Sequence, residues 1–199
     1  MFEELEKFRL VLEEKEKARE DLIKKCRELR ILSTKAINAV HKGKIDDAKA
    51  ILSNAKVLLE DIKKYKNTCP EFYYSITHNS MQEFAEAYVF LSVISGENVK
   101  INNIDVEIPA LLCGIADFVG EMRRYILDLL RRGKITEANR YIDIIETVYQ
   151  TLIQFDFPEK ILPGFRHKLD MVRAMLERTK ADLLTAKAAL ECKKVSSED

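Results

Sequence analysis

Two pairs of acidic residues stand out because each lies inside an apolar segment of the chain. Glu83 and Glu86 are three residues apart, and no lysine or arginine occurs from Pro70 to Val99. At this spacing two side chains share one face of an α-helix, where like charges repel each other. Such a pair in an apolar helix costs free energy unless a positive charge is supplied from elsewhere.

The second pair is Asp117 and Glu121, four residues apart on a stripe that continues to Arg124. These carboxylates lie far from a helix N-terminus, where the helix dipole would favour them. Gly114 and Gly120 flank Asp117, and each weakens a helix by about 1 kcal/mol relative to alanine. A glycine inside a helix often indicates close approach by another backbone or by a ligand.

If the two helices pack face to face, four carboxylates could converge in one cleft. Mg²⁺ and Mn²⁺ prefer oxygen ligands of this kind, and such ions support phosphodiester hydrolysis. Arg124, one turn from Glu121, could then hold a phosphate oxygen through bidentate contacts. The alternative is that the pairs are solvated or face cations from neighbouring helices, and spacing alone favours this second interpretation.

Two other kinds of metal site do not fit the sequence. A carboxylate-bridged di-iron bundle needs Glu-x-x-His on two helices. Asn38, Ser75 and Gly164 instead stand three residues before the three histidines. The four cysteines, at positions 26, 69, 113 and 192, show no Cys-x-x-Cys spacing, so reduced thiols are expected rather than a zinc site.

Candidate phosphate contacts come from histidine and from basic residues. His78 lies five residues before Glu83, where a hydrogen-bonded structural histidine is favoured over a ligand. The basic cluster nearest the carboxylates contains Arg123 and Arg124 and continues through Arg131, Arg132 and Lys134. Two further clusters are Lys42 with Lys44, and Arg166, His167, Lys168 and Arg173.

Helical periodicity runs through nearly the whole chain, and glycine and proline, at 6 and 4 residues, are scarce. Gly43 and Gly133 each predict the end of a helix, and the sequences around them are similar. The chain shows no fixed repeat period, so an array of helical repeats is not expected. An extended arm or hairpin is predicted at Glu97–Ile108, where apolar residues alternate. Six helices are predicted. The first ends near Val40, and the other five span Ile45–Lys66, Pro70–Ile94, Pro109–Arg132, Thr136–Phe155 and Phe165–Leu190. They form one helical domain over 1–190, with a polar tail at 191–199.

Composition excludes several classes of protein. With 33 basic and 33 acidic residues among 199, the chain is not a polycation, so any nucleic-acid contact must come from a local patch. No apolar run approaches the length of a membrane span. The acidic start, Met1–Glu6, lacks a signal-peptide pattern, and a cytoplasmic location is expected.

The two carboxylate segments resemble paired motifs of the translin–Trax family. Residues 81–87, Met-Gln-Glu-Phe-Ala-Glu-Ala, are similar to the Q-E-(Y/F)-x-E-A element of Trax, and residues 115–124 resemble its companion, A-D-x-x-G-E-x-x-R. The aromatic segment 71–74 and the order of the helices also resemble translin. The connection at 95–108 is short where eukaryotic Trax has a long insertion, as in compact prokaryotic, chiefly archaeal, members.

This resemblance implies an all-α fold, an elongated bundle of six to seven antiparallel helices. It implies a Mg²⁺- or Mn²⁺-dependent endoribonuclease acting on single-stranded RNA inside a homo-oligomeric shell, commonly an octamer. By the same resemblance Glu83, Glu86 and Asp117 are the catalytic, metal-binding carboxylates, with Glu121 a fourth ligand. Nucleic acid would contact Arg124, Arg123 and His78. The alternative is a translin-like protein that binds single-stranded RNA or DNA without cleaving it.

Overall fold

The computed structural model describes residues 2–195, which form α-helices joined by short connections. No β-strand occurs in that range, and the prediction of an all-α fold is confirmed. The elements are α1 (Phe2–His41), α2 (Ile45–Lys63), α3 (Tyr65–Thr68), α4 (Pro70–Ile94), α5 (Ile108–Arg131), α6 (Ile135–Leu152) and α7 (Phe165–Val195), with one 3-10 turn at Ile101–Asn103.

The two glycines predicted to end helices have similar conformations. Gly43 and Gly133 have φ angles of 72° and 74°, in the left-handed region that disfavours residues with a Cβ atom. In each turn the next residue, Lys44 or Lys134, donates its amide hydrogen to a carbonyl five residues back, at 2.9 Å. This pattern satisfies carbonyls that the helix end leaves free, which is why the same short sequence occurs at both places.

The prediction of an extended arm or hairpin at Glu97–Ile108 is wrong. The segment contains a 3-10 turn, and its residue Ile104 is buried while Ile108 is exposed. Asp105 pairs with Lys63, which holds this segment against α2. A two-stranded hairpin is only marginally stable on its own, and no further strand is present in the described residues to support one.

Helix boundaries differ from prediction by three residues or more in three places, and one of these is the end of α6 at Leu152 instead of Phe155. The predicted second helix is divided, because α2 ends at Lys63 and the separate short helix α3 follows. At the carboxyl end α7 continues to Val195, into the segment predicted as a polar tail. Residues 196–199 of that tail lie outside the described residues, and the single domain predicted for 1–190 stays a prediction.

The chain divides into two compact units, Met1–Leu111 and Leu112–Asp199. In the first unit α1 packs against α2 and α4. Its core is made of apolar side chains that recur at helical spacing: Leu22, Leu29, Ala36 and Val40 of α1, Leu52, Leu59 and Ile62 of α2, and Tyr73, Phe84 and Phe90 of α4. The amino-terminal part of α1, from residue 5 to residue 17, is exposed.

In the second unit α7 packs against α6 and is hydrogen-bonded to α5. The buried side chains of this unit include Phe118, Met122 and Ile126 of α5, Ile142 and Ile145 of α6, and Val172, Leu176 and Leu183 of α7. None of the helices in the described part of the chain combines the length and apolar character needed to cross a membrane.

Candidate functional site

Glu83 and Glu86 lie on α4 of the first unit, between buried neighbours such as Phe84, Ala85 and Ala87. The Glu83 side chain is 26% exposed, and Glu86 is also half-buried. The positive charge that the α4 sequence lacks is supplied by α1. Arg30 Nε donates to Glu83 Oε1 at 2.8 Å, which offsets the repulsion between the two carboxylates.

Beside this pair an open groove of about 400 Å³ runs along α1, and we call it the α1 groove. Its lining consists of Arg27, Arg30, Ile31, Thr34 and Lys35 together with Glu83. The sequence prediction did not include these α1 residues. The available signal was the recurrence of cations at positions 27, 30 and 35, all outside the buried stripe that contains Leu22 and Leu29.

Asp117 lies on α5 in the second unit, and its side chain is 29% exposed. Lys168 of α7 donates from Nζ to Asp117 Oδ1 at 2.5 Å, and the lysine side chain is itself only 25% exposed. The sequence placed Lys168 in a basic cluster but gave no indication that it would meet Asp117.

Glu121 and the two arginines lie further along α5. The Glu121 carboxylate is 3.6 Å from Arg124 Nη1, and the Arg124 side chain is 59% exposed. Arg123 turns toward α7, where Nη1 donates to Thr179 Oγ1 at 2.7 Å and Nη2 lies 2.8 Å from Asp182 Oδ2. Arg123 therefore ties two helices together, whereas Arg124 presents its guanidinium to solvent.

Arg123 and Arg124 border an open groove of about 550 Å³ on α5, which also includes Arg131. Gly120 lines the same groove, and a Cβ atom added there would lie 3.9 Å from Met175 Sδ, an ordinary van der Waals contact. This contact with α7 does not require a glycine. His78 is half-buried on α4, and its proposed contact with nucleic acid stays a prediction.

The cysteines do not form disulfides in the described part of the chain, and Cys26, Cys69 and Cys113 are buried. Burial raises the pKa of the Cys26 thiol, although a hydrogen bond with Ser80 acts in the opposite direction. Burial also raises the pKa of Cys113. These thiols are packing residues with no sign of nucleophilic activation.

The donor atoms of the predicted metal site match a hard cation in chemistry, since all are carboxylate oxygens. Glu83 and Glu86 belong to the first unit, and Asp117 and Glu121 belong to the second. Among the described residues, no three histidine, cysteine, aspartate or glutamate side chains are grouped to hold a metal ion. An ion bound by Glu83 or Asp117 would compete with Arg30 or Lys168 for the same oxygens. The shared metal site stays a prediction.

The chain is similar to several known proteins. No family model matches the chain. An uncharacterised protein of Methanocaldococcus jannaschii is 29% identical over an alignment of 178 residues, which covers 87% of this chain and 78% of that protein. AfC3PO is more similar: its complex with duplex RNA has 43% identity and a TM-score of 0.89, with 94% of this chain and 97% of that chain covered.

Two further crystal structures agree with this result. A second structure of AfC3PO is 44% identical with a TM-score of 0.89, covering 94% of this chain and 98% of that one. Apo-NeC3PO, at 20% identity and a TM-score of 0.83, shares the fold over 92% of this chain and 96% of its own. The chain therefore belongs to the translin–Trax family, as its paired carboxylate motifs indicated.

Proposed function

We propose that the protein is a metal-dependent endoribonuclease of the Trax type that binds and cleaves single-stranded RNA inside a homo-oligomeric shell. The observation that carries this proposal is the environment of Asp117 and Glu121 on α5. Both carboxylates retain partial exposure, and Arg124 beside them is exposed at the edge of an open groove. Carboxylates next to an accessible guanidinium suit a phosphodiester substrate.

In this proposal Glu83, Glu86 and Asp117 are the catalytic carboxylates, and Glu121 is a fourth ligand. Bound Mg²⁺ or Mn²⁺ would supply an activated water and neutralise charge on the scissile phosphate. Arg124 would hold a phosphate oxygen through its planar guanidinium. Arg123 is hydrogen-bonded to Thr179 and forms an ion pair with Asp182. It would add positive potential and keep α5 in place rather than bind the substrate directly.

The relatives support RNA as the ligand, since AfC3PO has been solved in complex with duplex RNA. The family resemblance favours single strands as the substrate that is cleaved, so both strand states belong in the test. Self-association into a homo-octamer and a cytoplasmic location are also part of the proposal. DNA single strands remain a second ligand to be compared.

A second function, binding without cleavage, is favoured by a specific feature of the carboxylates. Glu83 and Asp117 each have a cation from another helix as a hydrogen-bonded partner, at 2.8 and 2.5 Å. In a translin-like binding protein these pairs would be purely structural. Such pairs satisfy half-buried carboxylates without any metal ion.

The decisive experiment follows a labelled single-stranded RNA and its duplex with Mg²⁺, with Mn²⁺ and with EDTA. Glu83→Gln and Asp117→Asn should abolish cleavage while the protein stays folded. Glu146→Gln is the matched control, because Glu146 also pairs with a lysine, Lys180, at 2.7 Å but lies outside the motifs. Cleavage that both motif variants retain would disprove the nuclease mechanism. RNA binding without cleavage under any metal would establish the second function.

Assembly is tested by light scattering. An octamer would have a mass of about 184 kDa, eight times the 23.0 kDa subunit. A species of subunit mass at working concentration would contradict the shell.

A further inference from the structure

We propose that the α1 groove binds consecutive phosphates of the RNA strand and leads the strand to Glu83. The identity of the ligand as RNA rests on the proposed function. The assignment of α1 as the phosphate-binding element rests on the groove itself, whose lining lies entirely within the first unit.

The spacing of the groove residues suits an extended ligand. Arg27, Ile31 and Lys35 are successive members of an i, i+4, i+8 series, so they lie on one face of α1. At a rise of 1.5 Å per residue, Arg27 and Lys35 are separated by about 12 Å along the helix axis. All the α1 residues of the groove are exposed. The groove therefore presents cations at both ends and an apolar side chain, Ile31, between them.

The charge balance of the groove favours an anion. Among the residues that the structure describes, Arg27 and Lys35 form no ion pair with an acidic side chain, and Arg30 is paired with Glu83. Three cations thus face one carboxylate. Glu28 lies on the same helix but does not line the groove. The Thr34 hydroxyl donates to the carbonyl of Arg30 at 3.0 Å, so the phosphate donors are the three cationic side chains.

A solvated helix face is the ordinary explanation for charges on α1. The amino-terminal part of the same helix shows that pattern: Arg9 pairs with Glu6 and Glu13, and Arg19 pairs with Glu16. The groove segment differs because two of its cations lack such partners in the described chain, and because the third reaches a carboxylate of the catalytic motif.

Arg30 gives the groove a connection to the proposed chemistry. Its guanidinium holds Glu83 when no strand is present, and a phosphate entering the groove would compete for the same donors. Removal of the Glu83 charge should therefore strengthen RNA binding in the absence of metal. The expected gain is about 1.5- to 5-fold, the range for one exposed ion pair.

The test measures fluorescence anisotropy of a labelled single-stranded RNA in EDTA across a series of salt concentrations. The double variant Arg27→Gln, Lys35→Gln removes two phosphate contacts. For single strands this should reduce the slope of log K against log salt by about 1.4 and weaken binding about 25-fold at 0.1 M salt. The matched control is Lys7→Gln, Lys17→Gln, which removes the same charge from exposed positions of the same helix.

Two further variants separate charge from structure. The charge-conserving Arg27→Lys, Lys35→Arg should keep both affinity and salt slope, and a loss there would overturn the proposal, because the residues would then act through structure. Glu83→Gln should bind RNA more tightly in EDTA. Unchanged or weaker binding would overturn the role given to Arg30.

The experiments distinguish a wrong assignment of the α1 groove from a wrong assignment of nuclease activity. If the groove double variant binds RNA like the Lys7, Lys17 control, the α1 groove is not the phosphate site, whatever the cleavage assay shows. If the wild-type protein binds RNA through the groove but cleaves nothing with Mg²⁺ or Mn²⁺, the groove stands and the nuclease proposal fails.

Discussion

Replacing Lys168 with glutamine should increase the affinity for Mn²⁺ if Asp117 is a metal ligand. Lys168 Nζ lies 2.5 Å from Asp117 Oδ1, and both side chains are about three-quarters buried. A divalent ion at Asp117 must displace this ammonium group or bind beside it. Glutamine keeps most of the side-chain volume and removes only the charge.

The magnitude follows from the charges. Two unit charges 4 Å apart in water interact by about 1 kcal/mol. Lys168 therefore opposes a divalent ion at the neighbouring carboxylate by about 2 kcal/mol, or about 30-fold in affinity. Partial burial lowers the local dielectric constant, so the effect should be at least this large. The same substitution should lower the free energy of unfolding by about 1–2 kcal/mol, between the values for exposed and buried pairs.

The assay is Mn²⁺ titration by electron paramagnetic resonance, without RNA. Lys180→Gln serves as the control, because Lys180 lies on the same helix and its partner Glu146 is outside the carboxylate motifs. Asp117→Asn should remove the added affinity when combined with Lys168→Gln. Equal Mn²⁺ binding by the Lys168 and Lys180 variants would show that Asp117 is not a metal ligand.

Three further predictions concern packing and the thiols. Phe118→Ala should lower the free energy of unfolding in urea by about 3–5 kcal/mol, because the ring is fully buried; a loss under 1 kcal/mol would contradict its core position. Gly120→Ala should raise this free energy by about 0.5–1 kcal/mol, since the added methyl group meets ordinary contact distance; destabilisation would reveal a closer neighbour. Cys192 is exposed and should react first with iodoacetamide. Cys26 and Cys113 should stay unmodified at pH 8, because their raised pKa keeps the thiols protonated; alkylation there without denaturant would contradict their burial.

Helix positions were predictable where local signals were strong. Helix α4 begins at Pro70 and ends at Ile94, as predicted, because proline suits the first helical turn and Ser95-Gly96 stops the helix. The ends of α1 and α5 were also predictable, because Gly43 and Gly133 adopt the left-handed conformation that ends a helix. The break between α2 and α3 was missed, since no glycine or proline occurs there.

The partners of the carboxylates could not be predicted from the sequence. Arg30 and Glu83 are 53 residues apart, and Lys168 and Asp117 are 51 residues apart. Such contacts depend on how two helices are rotated and shifted against each other, which periodicity does not specify. The absence of lysine and arginine from α4 did indicate that Glu83 and Glu86 needed a cation from elsewhere, and at Glu83 the structure supplies Arg30.

The carboxylates can be paired with cations in the absence of metal and still bind a metal ion when one is present. Glu83 with Glu86, and Asp117 with Glu121, each place like charges on one half-buried helix face, which destabilises the helix without a counter-charge. Arg30 and Lys168 supply positive charge to one carboxylate of each pair. Both ion pairs are only partly buried, so a divalent ion would compete with Arg30 or Lys168 for the same carboxylate oxygens. In the proposed nuclease the bound metal ion would therefore take over the position of these cations beside the carboxylates.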